Sequence, residues 1–428
     1  MASQITNYQC PACTGPLQFS PETRKLECEY CGSIYELAEI EALYEEKEAA
    51  AVEASQNAPA DDGWGEEGMK TYSCPSCTAE LICDESTAAT SCPYCGNPTV
   101  VPGQFNGALK PDFVIPFKLQ KENAVEMLKK HYDGRFFLPK SFKNENHIQE
   151  IQGVYVPFWL FDGEAEGDAA YEATTRRTYR AGDYEITETK HYDVARAGKL
   201  IFEKVPVDAS TKMPDGHMDS IEPYDYGELQ PFSTAYLPGF LADKYDVEME
   251  DSRERVNIRC EGSLAQSLDN TVEGYSTVDR CGQNIHVTTE DAKYALLPVW
   301  MLSTKWNNQN FLFAMNGQTG KLVGDLPVDK KKYWTTFFGI GVGLSILVSL
   351  LIFYFGSLTG GTAAITIVGC FVAALIVCSI LNAGMKNVAL GDAADQYVSG
   401  DLQLSLRTDT YTHTTTTRRK IERKQENG

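Results

Sequence analysis

Two uncharged apolar stretches near the C-terminal end constrain this chain more than any other feature. They run from Phe337 to Phe355 and from Ala363 to Leu381, 19 residues each, and a Gly/Ser/Thr-rich loop joins them. As helices they would each extend about 28 Å, close to the hydrocarbon thickness of a bilayer. A buried helical hairpin in a soluble core is the alternative, but two adjacent runs of this length favour a membrane. The sequence predicts a transmembrane helical hairpin over residues 333–382.

Charges flanking the hairpin predict its orientation. Lys330, Lys331 and Lys332 precede the first stretch and Lys386 follows the second, whereas the connecting loop carries no charge. Because positive charge is retained on the cytoplasmic side, we expect both termini in the cytoplasm. The N-terminal MASQITNYQC has no apolar stretch and predicts no cleaved signal peptide. These features predict an integral, multi-pass protein of the cell membrane with most of the chain in the cytoplasm.

Small residues in the two stretches indicate close helix packing. They are Gly339, Gly341, Gly343, Gly369 and Ala373. Packing within the hairpin is the simpler interpretation, and a homo-oligomer is the alternative. Neither stretch contains Asp, Glu, Lys, Arg or His. A proton relay or an ion pathway is therefore not indicated.

Eight cysteines form a repeated metal-site pattern. Both sets have the spacing Cys-x2-Cys-x14-Cys-x2-Cys, 64 residues apart, and their members are Cys10, Cys13, Cys28, Cys31, Cys74, Cys77, Cys92 and Cys95. Two such knuckles point four thiolates at one ion, which predicts two tandem four-cysteine zinc ribbons, over residues 1–35 and 71–104. Four protein ligands leave no open position, so each Zn²⁺ would be structural. Disulfides and an iron–sulfur cluster are the alternatives, and a cytoplasmic location disfavours disulfides.

The glycines and the other cysteines complete this pattern. Gly32 and Gly96 follow the second knuckle of each set and suit a turn with positive φ. The remaining thiols lie apart from any catalytic partner and are expected to be buried and inert; they are Cys83, Cys260, Cys281, Cys370 and Cys378.

Acidic residues surround the predicted ribbons. The net charge of the chain is −21, and residues 36–67 contain 11 acidic residues and one lysine. We expect residues 36–70 to form a helix, rich in Ala, Glu and Leu from Leu37 to Ala54, and then a flexible linker. Nucleic-acid binding needs a positive surface, so protein partners are favoured over nucleic acid.

Residues 105–330 predict a β-rich cytoplasmic body with at least one helix, giving a multidomain α+β chain. The apolar spacing from Lys121 to His131 predicts an amphipathic helix, and Val154 to Phe161 and Ala295 to Leu302 predict strands. Phe311 to Leu326 predicts a hairpin that only superficially resembles a phosphate loop. With no zinc-protease, hydrolase or phosphate-loop motif in the sequence, we expect a protein that is not an enzyme, without catalytic residues.

The tail, residues 383–428, alternates polar and apolar side chains from Asp401 to Arg418 and ends in a basic cluster. This period predicts a strand. Two arrangements are open: a flexible segment whose basic end touches anionic lipid, or an ordered strand added to a sheet of the body or of a partner.

Together these modules resemble a bacterial (Firmicutes) family of TFIIB-type zinc-ribbon-containing membrane proteins, often labelled PriA-like or replication-restart-helicase-like. The YdjG type is a shorter relative of similar design. The resemblance is most specific in Asn97 to Lys118, Gly153 to Asp162, Phe202 to Asp208, Ser220 to Tyr226 and Ala314 to Asp329. The modules favour a non-enzymatic, zinc-stabilised membrane adaptor that recruits protein partners, and the resemblance implies a role in anchoring a complex of membrane-scaffold (SPFH) and phage-shock proteins during envelope stress. A membrane-tethered nucleic-acid-binding protein is the alternative that the helicase label implies.

Overall fold

The computed structural model describes residues 3–4, 8–44, 69–73, 80–84, 87–91, 98–100, 110–145, 148–354, 360–391 and 393–420. Within these residues the helices are α1 (residues 37–44), α2 (Lys121–Tyr132), α3 (Lys140–Glu145), α4 (Asp215–Ser220), α5 (Met249–Asp269), α6 (Lys330–Tyr354) and α7 (Gly360–Ala383). The strands are β1 (Ser3–Gln4), β2 (Leu17–Ser20), β3 (Lys25–Cys28), β4 (Ile34–Tyr35), β5 (Met69–Ser73), β6 (Glu80–Asp84), β7 (Thr87–Ser91), β8 (Pro98–Val100), β9 (Phe113–Val114), β10 (Gln152–Ala181), β11 (Tyr184–Asp208), β12 (Gln230–Pro231), β13 (Leu241–Asp243), β14 (Thr277–Thr289), β15 (Lys293–Trp306), β16 (Gln309–Asn316), β17 (Leu322–Val323) and β18 (Val398–Lys420). The fold class is α+β, with most of the regular structure in strands.

The chain divides into two compact units. Unit 1 comprises residues 1–157, 210–246 and 295–390, and unit 2 comprises residues 158–209, 247–294 and 391–428. Each unit is therefore assembled from three separate parts of the sequence.

Aromatic side chains form the centre of unit 1. Phe117 stacks on Phe240 with 4.1 Å between ring centroids, and Tyr155 and Trp300 meet Phe117 edge to face. Strand β15 pairs in parallel with β9 and antiparallel with β16. Helix α2 covers this region with Ala124, Val125, Leu128 and Tyr132, which confirms the predicted amphipathic helix. The predicted hairpin is also present, because β16 pairs with β17 across a turn that contains Gly320 at φ +79°.

Unit 2 is a long antiparallel sheet with one helix on it. Strand β10 pairs with β11 on one side and with β14 on the other, and β18 extends the sheet beyond β11. Helix α5 packs against β11 and β14 and buries a stripe of apolar side chains at helical spacing. These are Val256, Cys260, Leu264 and Leu268.

Residues 398–420 of the C-terminal tail belong to this sheet. The strand expected from Asp401 to Arg418 lies inside β18, whose register runs from Val398 opposite Phe202 to Lys420 opposite Tyr184. Of the two arrangements left open for the tail, residues 398–420 adopt the ordered one, a strand added to a sheet of the same chain.

The two apolar stretches form helices α6 and α7, which pack against each other. Both are long and apolar enough to cross a membrane. Among the glycines expected at the contact, only Gly341 is tight, since an added Cβ there would lie 2.6 Å from the Phe371 ring. Open space surrounds Gly339, Gly343 and Gly369.

Candidate metal centre

The first cysteine set lies on a small three-stranded antiparallel sheet, β2–β3–β4. Cys10 and Cys13 belong to a tight turn before β2, where the amide of Cys10 donates to Gly15 O at 2.7 Å. Cys28 ends β3, and the amide of Gly32 donates to Cys28 O at 2.9 Å. Gly32 has φ +70°, as the sequence predicted for this turn. The two knuckles are therefore formed by local hydrogen bonds.

The four sulfurs of this set converge. The Sγ atoms of Cys10, Cys13, Cys28 and Cys31 all lie within 4.8 Å of one another. Cys10 Sγ is 3.6 Å from Cys31 Sγ, and Cys13 Sγ is 3.4 Å from Cys28 Sγ. Tetrahedral zinc with Zn–S bonds of about 2.3 Å places its sulfurs about 3.8 Å apart, so the spacing fits a zinc site with four cysteine ligands.

The pKa values of the cysteines also favour the binding of a cation. Burial raises the pKa of Cys10, but hydrogen bonds from the Tyr35 hydroxyl and from backbone amides outweigh it and lower that pKa to about 6. At Cys13 the Gly15 amide lowers the pKa, whereas the neighbouring cysteine sulfurs and burial raise it to about 12. Four thiolates this close cannot all be ionised together unless a cation compensates them, because like charges disfavour each other.

Two side chains beside the sulfurs went unrecognised in the sequence. The Tyr35 hydroxyl lies 3.4 Å from Cys10 Sγ, and Ser33 Oγ lies 3.2 Å from Cys31 Sγ. Such neighbours orient metal ligands and tune their basicity. Their position, two and four residues after Cys31, is the signal that could have identified them.

The ribbon packs on the rest of unit 1. The hydroxyls of Tyr8 and Thr234 are 2.6 Å apart, and the amide of Phe19 donates to Pro238 O at 2.9 Å. Leu17 and Leu26 are fully buried, and the Tyr44 hydroxyl of α1 donates to Gln9 O. The ribbon is therefore fixed to its own chain through one of its faces.

Both basic side chains of the ribbon form ion pairs. Residues 1–35 contain only two basic side chains, Arg24 and Lys25. Arg24 Nη2 lies 3.1 Å from Glu228 Oε1, and Lys25 Nζ lies 2.5 Å from Glu36 Oε1. The Glu228 carboxylate also pairs with Lys118, and hydrogen bonds from Gln318 and Lys118 lower its pKa.

The other expected sites divide into described and undescribed positions. Cys74, Cys77, Cys92 and Cys95, predicted to form the second zinc site, lie outside the described residues, although β5 to β8 flank them in sequence. Cys260 is buried, which raises its pKa to about 12, as expected for an inert thiol. Cys281 is exposed on β14, so the expectation that it would be buried is wrong.

Known proteins offer one informative match. The chain is 36% identical over 347 residues to the uncharacterized protein YdjG of Bacillus subtilis (strain 168). The aligned region covers 81% of this chain and 97% of that protein. No family model and no solved structure matches the chain. Because the identity extends over nearly all of YdjG, it confirms the resemblance to the YdjG type that the sequence motifs indicated. The chain belongs to the family of YdjG.

Proposed function

We propose that this chain is a non-enzymatic membrane adaptor. Its hairpin anchors it in the cell membrane with both termini in the cytoplasm, two structural zinc ions stabilise its N-terminal ribbons, and its cytoplasmic part recruits protein partners. TFIIB-type ribbons and SPFH or phage-shock partners enter this proposal through the family resemblance alone.

The observation that carries the proposal is that the first ribbon has neither an open metal position nor an unpaired basic side chain. Its four cysteines would saturate a tetrahedral ion, which leaves no position for water or substrate. Its two cations, Arg24 and Lys25, are already paired with Glu228 and Glu36. A ribbon that reads nucleic acid needs cations free to meet phosphate, since phosphate contacts supply most of the affinity.

The hairpin supports the membrane anchor. Only 11% and 17% of the residues in the most apolar parts of α6 and α7 are buried. Leu350 is 63% exposed and Ile365 is 76% exposed. The hairpin of a soluble core would bury these side chains, whereas a lipid environment would cover them without a protein partner.

An open cleft beside the ribbon offers a surface for a partner. Its volume is about 970 Å³, with Phe240 and Trp300 among its apolar residues. Glu27, Glu29 and Glu122 line it as well, together with Lys121, so acidic side chains outnumber basic ones. A cleft with apolar and acidic walls suits a protein segment that carries basic and apolar side chains, and it would repel phosphate.

The proposal is tested on the full-length protein purified in detergent. We expect no salt-sensitive binding of double-stranded DNA, and we expect photo-crosslinking from Ile34, at the cleft, to capture the same protein partner from native membranes in repeated experiments. A crosslinker at Tyr179, an exposed position in unit 2, serves as the control. Submicromolar DNA binding that weakens steeply between about 50 and 200 mM salt, on the order expected for several phosphate contacts, would favour the nucleic-acid alternative. Equal capture from both positions would argue against a partner at the cleft.

A further inference from the structure

A small basic pocket lies at the membrane end of unit 1. Its volume is about 350 Å³, and four of its lining residues are cationic: Arg135, Lys140, Lys143 and Lys332. Its apolar lining includes Phe136, which is 46% exposed. The pocket thus combines several positive charges with an exposed aromatic ring.

Contacts in the structure fix this pocket to the ends of both apolar helices. Lys332 is the third residue of α6, and its ammonium group lies 4.1 Å from the centroid of the Phe136 ring and donates to Phe136 O. Arg135 Nη1 donates to Gly384 O at 2.5 Å, directly after α7 ends at Ala383. A bilayer that contains α6 and α7 would therefore hold this pocket at the level of its headgroups.

The net charge of the pocket stays positive even when the ion pair between Lys143 and Asp133 is included. Lys143 Nζ lies 2.6 Å from Asp133 Oδ1, at the rim. Arg135 uses two of its nitrogens on carbonyl oxygens, His131 O and Gly384 O, and these bonds leave its charge uncompensated. Lys140 is exposed at the start of α3. A phosphate in this pocket would lie among Arg135, Lys140 and Lys332, with Lys143 shared with Asp133.

We propose that this pocket binds the phosphate headgroup of an anionic phospholipid from the cytoplasmic leaflet. The inference rests on the proposed membrane insertion, which brings the leaflet to the pocket. Lysine and arginine bind phosphate oxygens, and each cation near an anionic membrane surface adds to the attraction. The Phe136 ring and the side chains of Leu138 and Pro139 provide an apolar wall for the glycerol and the first acyl carbons, which a free phosphate ion would leave unused.

Native mass spectrometry of the full-length protein in detergent tests the pocket. Phosphatidylglycerol is titrated against the wild type and against a Lys140→Gln/Lys143→Gln variant. Two lost charges should weaken binding of one phosphatidylglycerol by about 30-fold. The matched control, Lys110→Gln/Lys121→Gln, removes two exposed lysines of the same unit and should bind as the wild type does.

Three results would overturn the inference. They are equal phosphatidylglycerol binding by the two variants, equally tight binding of phosphatidylcholine by the wild type, and complete displacement of the lipid by millimolar inorganic phosphate, which would indicate a free-phosphate site. Carbonate extraction of native membranes measures insertion separately. Release of the protein by carbonate would contradict the proposed anchor, whereas the titration in detergent would still report on the pocket.

Discussion

The guanidinium of Arg196 on β11 lies against the carboxylate of Asp409 on β18, with 2.6 Å between Nη1 and Oδ1. Arg196 is completely buried, whereas the Asp409 side chain is 39% exposed. The same Nη1 donates to Thr408 O, so one cation binds both a side chain and the backbone of the tail strand. The hydrogen bond from Arg196 holds the pKa of Asp409 below its usual value.

Replacing Asp409 by Asn should loosen the tail strand. The variant leaves the buried Arg196 without its counter-charge, which costs about 3 kcal/mol, the lower end of the range for such a loss because Asp409 is partly exposed. Hydrogen–deuterium exchange should show faster exchange across β18 and along the facing part of β11. Asp401→Asn, at an exposed position on the same strand, is the control. Unchanged protection of β18 in Asp409→Asn would show that the strand is held by its backbone ladder alone.

Zinc should be present at two ions per chain. Cys13→Ser/Cys28→Ser should lower the zinc content to one, and exchange protection should be lost over residues 8–44, because structural zinc supplies the folding free energy of such a module. Cys74→Ser/Cys77→Ser should also lower it to one. Zinc is measured by inductively coupled plasma mass spectrometry, and X-ray absorption should give four sulfurs at about 2.3 Å.

Cys281→Ser is the control for these zinc variants, since Cys281 is exposed on β14, apart from the cysteine sets. It should keep both ions. Iron in place of zinc, or one ion in the wild type, would contradict the prediction of two zinc ribbons.

Gly341 occupies a tight position at the contact between the apolar helices. A Cβ at Gly341 would lie 2.6 Å from the Phe371 ring, whereas a Cβ at Gly343 meets nothing within 4 Å. Gly341→Leu should therefore destabilise the hairpin by about 1–3 kcal/mol through overpacking, and Gly343→Leu should not. Thermal unfolding of the purified protein in mild detergent compares the two. Equal melting temperatures would show that the helices separate without cost at this position.

Local patterns in the sequence predicted the elements that local chemistry determines. The spacing of Cys10, Cys13, Cys28 and Cys31 defines a metal site because each knuckle is built from adjacent residues, and the sulfurs do converge. The length and composition of the two apolar stretches likewise predicted helices, although α6 begins at Lys330, inside the charged residues that precede the first stretch.

Partners that are distant in sequence could not be predicted in the same way. Alternation in the tail predicted a strand, but every edge of a sheet presents the same backbone groups, so nothing local selected β11 as its partner. Arg196 and Asp409 are 213 residues apart, and only the folded sheet brings them together. The division into two units, each built from three segments, depends on the same long-range pairing.

Stability should fall in mild acid through a half-buried histidine, His217. Burial of His217 lowers its pKa below 6.5, although hydrogen bonding to Leu312 O and the nearby Asp325 carboxylate oppose this. The unfolded chain therefore binds more protons than the folded chain as the pH falls below 6.5, so stability present at pH 7 is lost as the pH falls through the folded pKa. His131 is also half-buried, which lowers its pKa, and it adds to the loss. Melting temperatures from about pH 7.5 to 5.5 should fall less in His217→Gln than in wild type, while His286→Gln, at an exposed site, should keep the wild-type slope. An unchanged slope in His217→Gln would assign the acid sensitivity to other groups.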